Sequence, residues 1–425
     1  MSPPASHEWE RSDTSCIERL LFLCSNKKLY FCSMKEERYI REHRTDDVAR
    51  LALQLSGRND LDTAYILQQI EGWQRLRTKV PSWAAVDGLR YPPRLALEQC
   101  SGEKAARYKA AVVERLLPEG ATMVDLTGGL GVDFSFVAKH FREATYIERN
   151  VMLAEIAAHN FPLLGLEHAH CLAGDGTELL RTMGTVDLLF LDPARRDAAG
   201  RKTVLLEDCE PNVIELLPLF REKAHYVMLK LSPMLDLHRA MSQLDCTEEV
   251  HIVAERGECK DLLLVLNMQQ KQMVSPTIFC CDEETFSFRA DEESTALPTY
   301  ASTPLRYLYE PNAAILKAGA YKLPAVRFGL QKFHPNSHLY TSDKHIENFP
   351  GRIFEVVRYS HFNKQELKAF KGDVRQANLT VRNFPASVAE LRKRLKIKEG
   401  GDEYWFATTC GEDKHLLIAC KKSPI

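Results

Sequence analysis

Residues 124–133 read Val124-Asp125-Leu126-Thr127-Gly128-Gly129-Leu130-Gly131-Val132-Asp133. A short apolar run, 123–126, ends there in a glycine-rich turn, and an amphipathic run, 134–141, follows. The pattern predicts strand, tight turn and helix. Glycines let the backbone bend sharply and approach a ligand closely. The helix that follows begins with unpaired N–H groups, a seat for an anionic group. Further candidate strands lie at 144–147, 169–172, 186–191 and 226–231, with helical segments between them. Two more, 250–253 and 262–266, are joined only by a short polar connection, 255–260. A βα series ending in a hairpin predicts an α/β domain whose sheet is mostly parallel with one reversed edge strand.

At 425 residues the chain exceeds one typical core, and two to four domains are expected. Residues 1–100 read as an N-terminal helical domain. Apolar positions recur at helical spacing in Val48, Leu51, Ala52 and Leu55, and again in Ile66, Ile70 and Trp73. Asp46-Asp47, and Asp60 or Asp62, read as helix starts. The sheet domain is expected over 101–270. Prolines at 276, 298, 304, 311, 324 and 335 break up 271–345, which reads as a small α+β module. Residues 346–425 read as a last compact unit, with strands at 353–359, 378–381, 404–409 and 415–419 and helices at 364–370 and 387–395. Ser387 is the expected N-cap there, and Glu390 its capping-box partner.

Composition narrows the function. Hydrophobic residues make up 45%, as in ordinary globular proteins. The net charge of −2 gives no global pull toward nucleic acid, so any basic surface is local. Twelve cysteines occur without a CxxC pair, and the vicinal Cys280-Cys281 fits no common zinc spacing. Reduced thiols and no required metal are expected. Residues 1–13 are polar, and no apolar run approaches the ~20 residues of a membrane span. A cytoplasmic protein without a membrane partner is the expectation.

A glycine turn after the first strand invites the dinucleotide fingerprint GxGxxG. Counted from Gly129 and Gly131, that pattern needs a glycine where this chain has Phe134. The spacing D-x-T-G-G-x-G instead resembles the first motif of class I S-adenosylmethionine-dependent methyltransferases. Those enzymes have a Rossmann-like, seven-stranded sheet with a reversed last strand. Three further acids support the resemblance: Glu148 after the second strand, Asp175 beside Gly176 after the third, and Asp192 after the fourth. Each alone is a weak signal, since an acid after a strand is usually a turn or cap residue. Four in order, at the strand ends where open α/β sheets bind ligands, carry the assignment. The resemblance implies S-adenosyl-L-methionine as cofactor. Gly128, Gly129 and Gly131 would wrap its methionine part, and Asp125 and Thr127 would orient its amino group. Glu148 would hold the ribose hydroxyls and Asp175, with Gly176, the adenine. Asp192 would lie beside the transferred methyl.

The acceptor is sought in Asp192-Pro193-Ala194-Arg195. This loop departs from the Asp/Asn-Pro-Pro-Tyr of many exocyclic-amine methyltransferases. Arg195 offers a planar cation that can stack or hold phosphate, or it belongs to a surface cluster with Arg196, Arg201 and Lys202. Asp192, Pro193 and Arg195 are the candidate catalytic residues, with Arg195 also a substrate contact. The loop looks closer to that of RNA methyltransferases acting on pyrimidine carbon 5. Those need a cysteine, commonly after the fifth strand, where this chain has Lys230-Leu231-Ser232-Pro233. Serine makes no comparable adduct, so nitrogen is expected over carbon 5. Cys209 stands among acids that oppose a thiolate and reads as inert. Lys230 is a candidate substrate contact, and equally a plain strand-end lysine.

Three segments extend the resemblance: 97–103 with 107–110, 310–317 with 334–340, and 381–385 with 400–402. Together they are similar to class I methyltransferases of bacteria that carry a small ferredoxin-like module and a C-terminal THUMP-like domain. That implies an RNA substrate, tRNA or rRNA. Local charge agrees. Lys364, Lys368, Lys371, Arg375, Arg382, Arg392, Lys393, Arg394, Lys396 and Lys398 outnumber Glu366, Asp373 and Glu390. Arg382, Arg392, Lys393 and Arg394 are the candidate RNA contacts, and Phe362, Phe384, Tyr404 and Trp405 could stack bases. The plain alternative is a solvated helix face over core aromatics. Two rival functions stay open: a methyltransferase for a protein or small molecule, and an RNA-binding protein with a vestigial cofactor site.

Overall fold

The apolar runs after residue 121 become the strands of one sheet, because residues such as Leu188 to Leu191 are buried on both faces. The computed structural model of the chain describes residues 34–195, 205–270 and 274–423. The described residues up to Arg75 form one compact unit and those from Leu76 another. In the first unit, Asp47 caps the helix Val48–Leu55 by accepting from the Arg50 N–H. Asp62 accepts from the Tyr65 N–H at the start of the helix Thr63–Lys79. Leu51, Leu55, Ile66 and Ile70 make the small core of this unit.

In the second unit the first sheet is built from β1 (Thr122–Asp125), β2 (Glu143–Glu148), β3 (Ala169–Ala173), β4 (Val186–Leu191), β5 (Ala224–Leu231), β6 (Thr247–Glu255) and β7 (Glu258–Asn267). Two further strands follow, β8 (Thr277–Cys281) and β9 (Thr285–Arg289). Spatial order is β9-β8-β6-β7-β5-β4-β1-β2-β3. Strands β1 to β5 run parallel, and β7 is antiparallel to both β5 and β6. The expected mostly parallel sheet is present, but two strands run reversed rather than one: β7, inside the sheet between β5 and β6, and β9 at its edge, antiparallel to β8. It holds nine strands rather than seven. The hairpin 277–289 lies within the module expected to begin at 271, yet it extends this sheet. Ile278, Cys280, Phe286 and Phe288 are buried in the same core as β6 and β7, and burial, not chain order, decides where a strand pairs.

A second sheet of eight strands runs from Thr299–Tyr300 to Lys414–Lys422. Its strands alternate, as a sheet covered on two faces must. Trp405, Ala407, Leu417 and Ala419 face a core with Leu367, Phe370, Leu391 and Leu395 of the two covering helices. Phe406, Leu416, Ile418 and Cys420 face the other core. Ser387 accepts from the Glu390 N–H at the start of the helix Val388–Leu395, and Glu390 reciprocates, completing the expected capping box. We propose four parts with boundaries near 100, 270 and 345, the 277–289 hairpin belonging with the first sheet.

Candidate active site

Order reverses between β4 and β1, and a cleft of about 370 Å³ opens there at the carboxyl ends of the strands. Its floor is the glycine turn. Gly131 has φ +82°, and a Cβ on it would lie 2.7 Å from Phe161. A Cβ on Gly128 would collide with the Tyr146 ring. The Gly131 N–H closes the turn on the Gly128 carbonyl at 2.9 Å, and the Tyr146 hydroxyl donates to the Gly129 carbonyl. Phe134 is buried, stacked on Phe161 at 4.9 Å and edge-on to Tyr146. The helix begins at Val132, before the expected 134, because left-handed Gly131 ends the turn.

The cleft gathers Asp125, Thr127, Gly128, Gly129, Gly131, Glu148, Asp175, Gly176, Asp192 and Lys230, all chosen from the sequence. Asp125 ends β1, 2% exposed, and accepts from the Thr127 N–H at 2.9 Å. Burial raises its carboxyl to about 8; the Thr127 bond opposes this, and Asp133, Asp192 and Glu148 add to it. Glu148 ends β2 and accepts from the Gly129 and Asn150 N–H groups, each at 2.7 Å. The Asp192 N–H donates to Thr127 Oγ1 at 2.6 Å, tying the β4 loop to the glycine turn.

Asp175 has two occupations. It caps the helix Gly176–Thr182, accepting from the Thr177 hydroxyl and from the Thr177 and Glu178 N–H groups. Its other oxygen meets the Arg149 guanidinium at 2.8 Å. The Thr177 hydroxyl bond comes first among the causes that lower its pKa. Arg149 also reaches Glu210 at 2.6 Å, so it bridges two acids at the cleft wall.

Lys230 lies beneath Asp192, Nζ to Oδ2 at 2.5 Å, and 3.5 Å from Asp133 Oδ2. Asp133 Oδ1 meets Lys109 Nζ at 2.9 Å, and Lys109 meets Asp261 Oδ2 at 2.5 Å. The Ser101 hydroxyl donates to Asp133 Oδ2 at 2.6 Å. Burial alone would raise Asp133, but Lys109 and Lys230 hold it down to about 2. Burial would lower Lys230, yet Asp192, Asp133 and Asp261 outweigh it and raise its pKa.

Sequence reasoning missed Asp133, Ser101, Lys109, Asp261 and Arg149. Asp133 stood next to the turn and could have been found as a first-turn acid of the helix. Lys109 and Asp261 meet across 152 positions, with no local signal. Cys100 was missed too; it lines the cleft, donates to the Leu97 carbonyl at 3.2 Å, and its thiol is raised by burial.

The remaining candidates lie elsewhere. Pro193 is buried and off the cleft lining. Arg195 sits in a two-strand ribbon, Ala194–Arg195 with Cys209–Glu210. Its side chain, like residues 196–204, falls outside the described residues. Arg382, Arg392, Lys393 and Arg394 are not in the cleft. Arg382 pairs with buried Glu310 at 2.9 Å, Arg392 pairs with Glu399, and Arg394 stacks over Phe362 at 4.4 Å. Lys393 and Arg394 are exposed. Trp405 is fully buried and donates to Glu403 at 2.7 Å, so it is core and stacks no base. Cys209 is buried, as expected.

The cleft suits a cationic nucleoside. Among the described residues, Asp125, Asp133, Glu148, Asp175, Asp192 and Glu210 line it against Arg149 and Lys230 as the only bases. Such a donor set fits an ammonium, a sulfonium and hydroxyls, and repels a pyrophosphate. Asp125 and Thr127 would hold the ammonium end of S-adenosylmethionine, and Glu148 its ribose.

Comparison with known proteins agrees. Residues 307–350 match a ferredoxin-like domain family and 351–422 a THUMP domain-like family. No curated protein sequence matches the chain. A crystal structure from Porphyromonas gingivalis W83, assigned as a methyltransferase, shares 37% identity, covering 92% of this chain and 98% of that one, with a TM-score of 0.82. Looser likenesses are an S-adenosylmethionine-dependent methyltransferase from Agrobacterium tumefaciens (17% identity, 39% of this chain, 61% of that, TM-score 0.31) and a protein assigned as an RNA methyltransferase from Pyrococcus horikoshii (14%, 47%, 98%, TM-score 0.33). No described helix is long and apolar enough to cross a membrane. With the β3-β2-β1-β4-β5-β7-β6 order, the acid-lined cleft and the near full-length match in hand, the chain belongs to the S-adenosylmethionine-dependent methyltransferases that carry ferredoxin-like and THUMP-like modules.

Proposed function

We propose that this enzyme methylates a nitrogen on a base of RNA, tRNA or rRNA, in the cytoplasm. One observation carries the choice of atom. The carboxylate that faces the acceptor end of the cleft, Asp192, is held by Lys230, while the thiol lining the cleft, Cys100, is kept protonated by burial. Carbon-5 chemistry needs a thiolate. A nitrogen acceptor needs only orientation and a place for its proton.

When bound, S-adenosylmethionine supplies a methyl group already activated on a sulfonium. Glu148 and Asp125 would fix the donor's two ends. Asp192 Oδ1, with no partner among the described residues, would accept the acceptor's N–H and aim the nitrogen lone pair at the methyl. It then takes the proton released as the nitrogen–carbon bond forms. Pro193 stiffens the loop that carries it. Arg195 is proposed to contact the base or its phosphate.

The RNA assignment is supported by the two C-terminal families and by exposed Lys364, Lys368, Lys393, Arg394, Lys396 and Lys398. Because Arg382 and Arg392 already have acidic partners, a protein or small-molecule acceptor is the second reading. Mass spectrometry of nucleosides from cells lacking the protein decides between them. Loss of one methylated nucleoside is expected. Unchanged nucleosides with a lost protein or metabolite methylation would favour the second reading.

A further inference from the structure

The geometry points to Lys230 as a positioning residue for Asp192, held by a buried ladder of charges, rather than as a contact to substrate. The inference rests on the methyltransferase reading of the cleft. The ladder runs Asp261–Lys109–Asp133–Lys230–Asp192, with spacings of 2.5, 2.9, 3.5 and 2.5 Å. Only its last member is substantially open: the Asp192 side chain is 43% exposed, Lys230 11% and Lys109 0%.

Charge sets the order of events. Three carboxylates share two ammonium groups, so Lys230 is pulled from both sides and stays protonated. A cation so committed has little to offer an RNA phosphate. Its useful product is a fixed Asp192: one carboxylate oxygen is taken by Lys230 and the other is left for the acceptor. The Asp192 main chain is pinned separately through the Thr127 hydroxyl. Backbone and side chain are thus both held, which preorganisation requires.

The ladder also gives a role to a segment that lines the cleft at Gln99, Cys100 and Ser101. Ser101 and Lys109 belong to the family-like stretch 97–110, far in sequence from the acceptor loop. Ser101 holds Asp133, and Lys109 links Asp133 on the glycine-turn helix to Asp261 on β7. This stretch underpins the acceptor end of the cleft.

The test uses the full chain with Lys230→Met, Lys230→Arg and Asp133→Asn. Asp133→Asn leaves two carboxylates for two ammonium groups, so the ladder stays neutral, and its thermal midpoint is read alongside its rate. Four readouts are taken: calorimetric S-adenosylmethionine affinity, RNA affinity against salt, single-turnover rate and thermal midpoint. Lys230→Met should lower the rate about 100-fold with RNA KM and salt slope unchanged and cofactor affinity within about threefold of wild type. Lys230→Arg should restore about tenfold of the rate, and Asp133→Asn should lower it about tenfold. The thermal midpoint should fall in Lys230→Met and recover in part when Asp133→Asn is added, because Lys109 then has a single buried carboxylate, Asp261, to neutralise instead of two. A raised KM and flatter salt slope with unchanged rate would make Lys230 a phosphate contact and overturn the proposal. Lost cofactor affinity in Lys230→Met alone would move it into the cofactor site and also overturn it. Failure of the wild-type protein to bind S-adenosylmethionine would instead defeat the underlying reading.

Discussion

The cofactor cleft and the basic face of the C-terminal unit both collect charge, and they do so in opposite ways. In the cleft, acids sit at strand ends, range from buried Asp125 to half-open Asp192, and each has a fixed partner: Asp125 with Thr127, Glu148 with Gly129, Asp192 with Lys230. On the C-terminal face, Lys393, Arg394, Lys396 and Lys398 are exposed, while Arg382 and Arg392 are tied to glutamates. A buried charge acts through geometry in a low dielectric, whereas an exposed one acts through summed, screened attraction. Single substitutions should therefore be severe in the cleft and mild on the face.

Asp192→Ala is the sharpest break. Methyl transfer should fall about 10³-fold in single-turnover assays, with cofactor affinity nearly unchanged. An equal loss of cofactor binding would place Asp192 on the donor side. Glu148→Gln comes next. Losing a charged hydrogen-bond partner should weaken S-adenosylmethionine about 10- to 100-fold by calorimetry, with RNA affinity intact.

Asp125 sharpens the comparison through pH. Its folded pKa of about 8 exceeds the unfolded value of about 4. Its contribution to stability is full below the unfolded value and is lost as pH rises toward 8. The ligand-free thermal midpoint should drop from pH 5 to 8, and Asp125→Asn should flatten that slope. Since a cationic ligand favours the ionised form, cofactor binding near pH 7 should release about one proton, seen as a buffer-dependent binding heat.

The face gives the smallest effects. Charge reversal at Lys393 and Arg394 together should reduce RNA affinity and lower the slope of log K against log salt by about 1.4, two single-strand phosphate contacts. Arg382→Ala should leave that slope unchanged and lower the thermal midpoint modestly, because buried Glu310 loses one of its two guanidinium partners and keeps Arg352.

Much of the cleft was legible because its residues are local to strand ends. A strand followed by a glycine turn and an acid at the end of the next strand are short-range patterns, and spacing alone brings Asp125, Glu148, Asp175 and Asp192 to one edge. The C-terminal face was legible only as composition. Trp405 shows the limit: an aromatic beside basic residues reads as a base platform until its strand is seen to turn it inward. The hairpin 277–289 was misplaced because prolines around it suggested a new module, while its alternating apolar side chains sought the nearest open sheet edge.

By itself, the sequence determined the α/β series, the glycine turn, the acids at the strand ends and the resemblance that names the cofactor. All of these are written in contiguous residues. Only the tertiary structure decided that Lys230 is bound to Asp192 and Asp133, that Lys109 reaches Asp261, and that Arg382 belongs to Glu310. The physical reason is that ionic partners are chosen by burial and distance across the folded chain. Desolvation makes an unpaired buried charge too costly to leave, and nothing in local sequence says which opposite charge will be at hand.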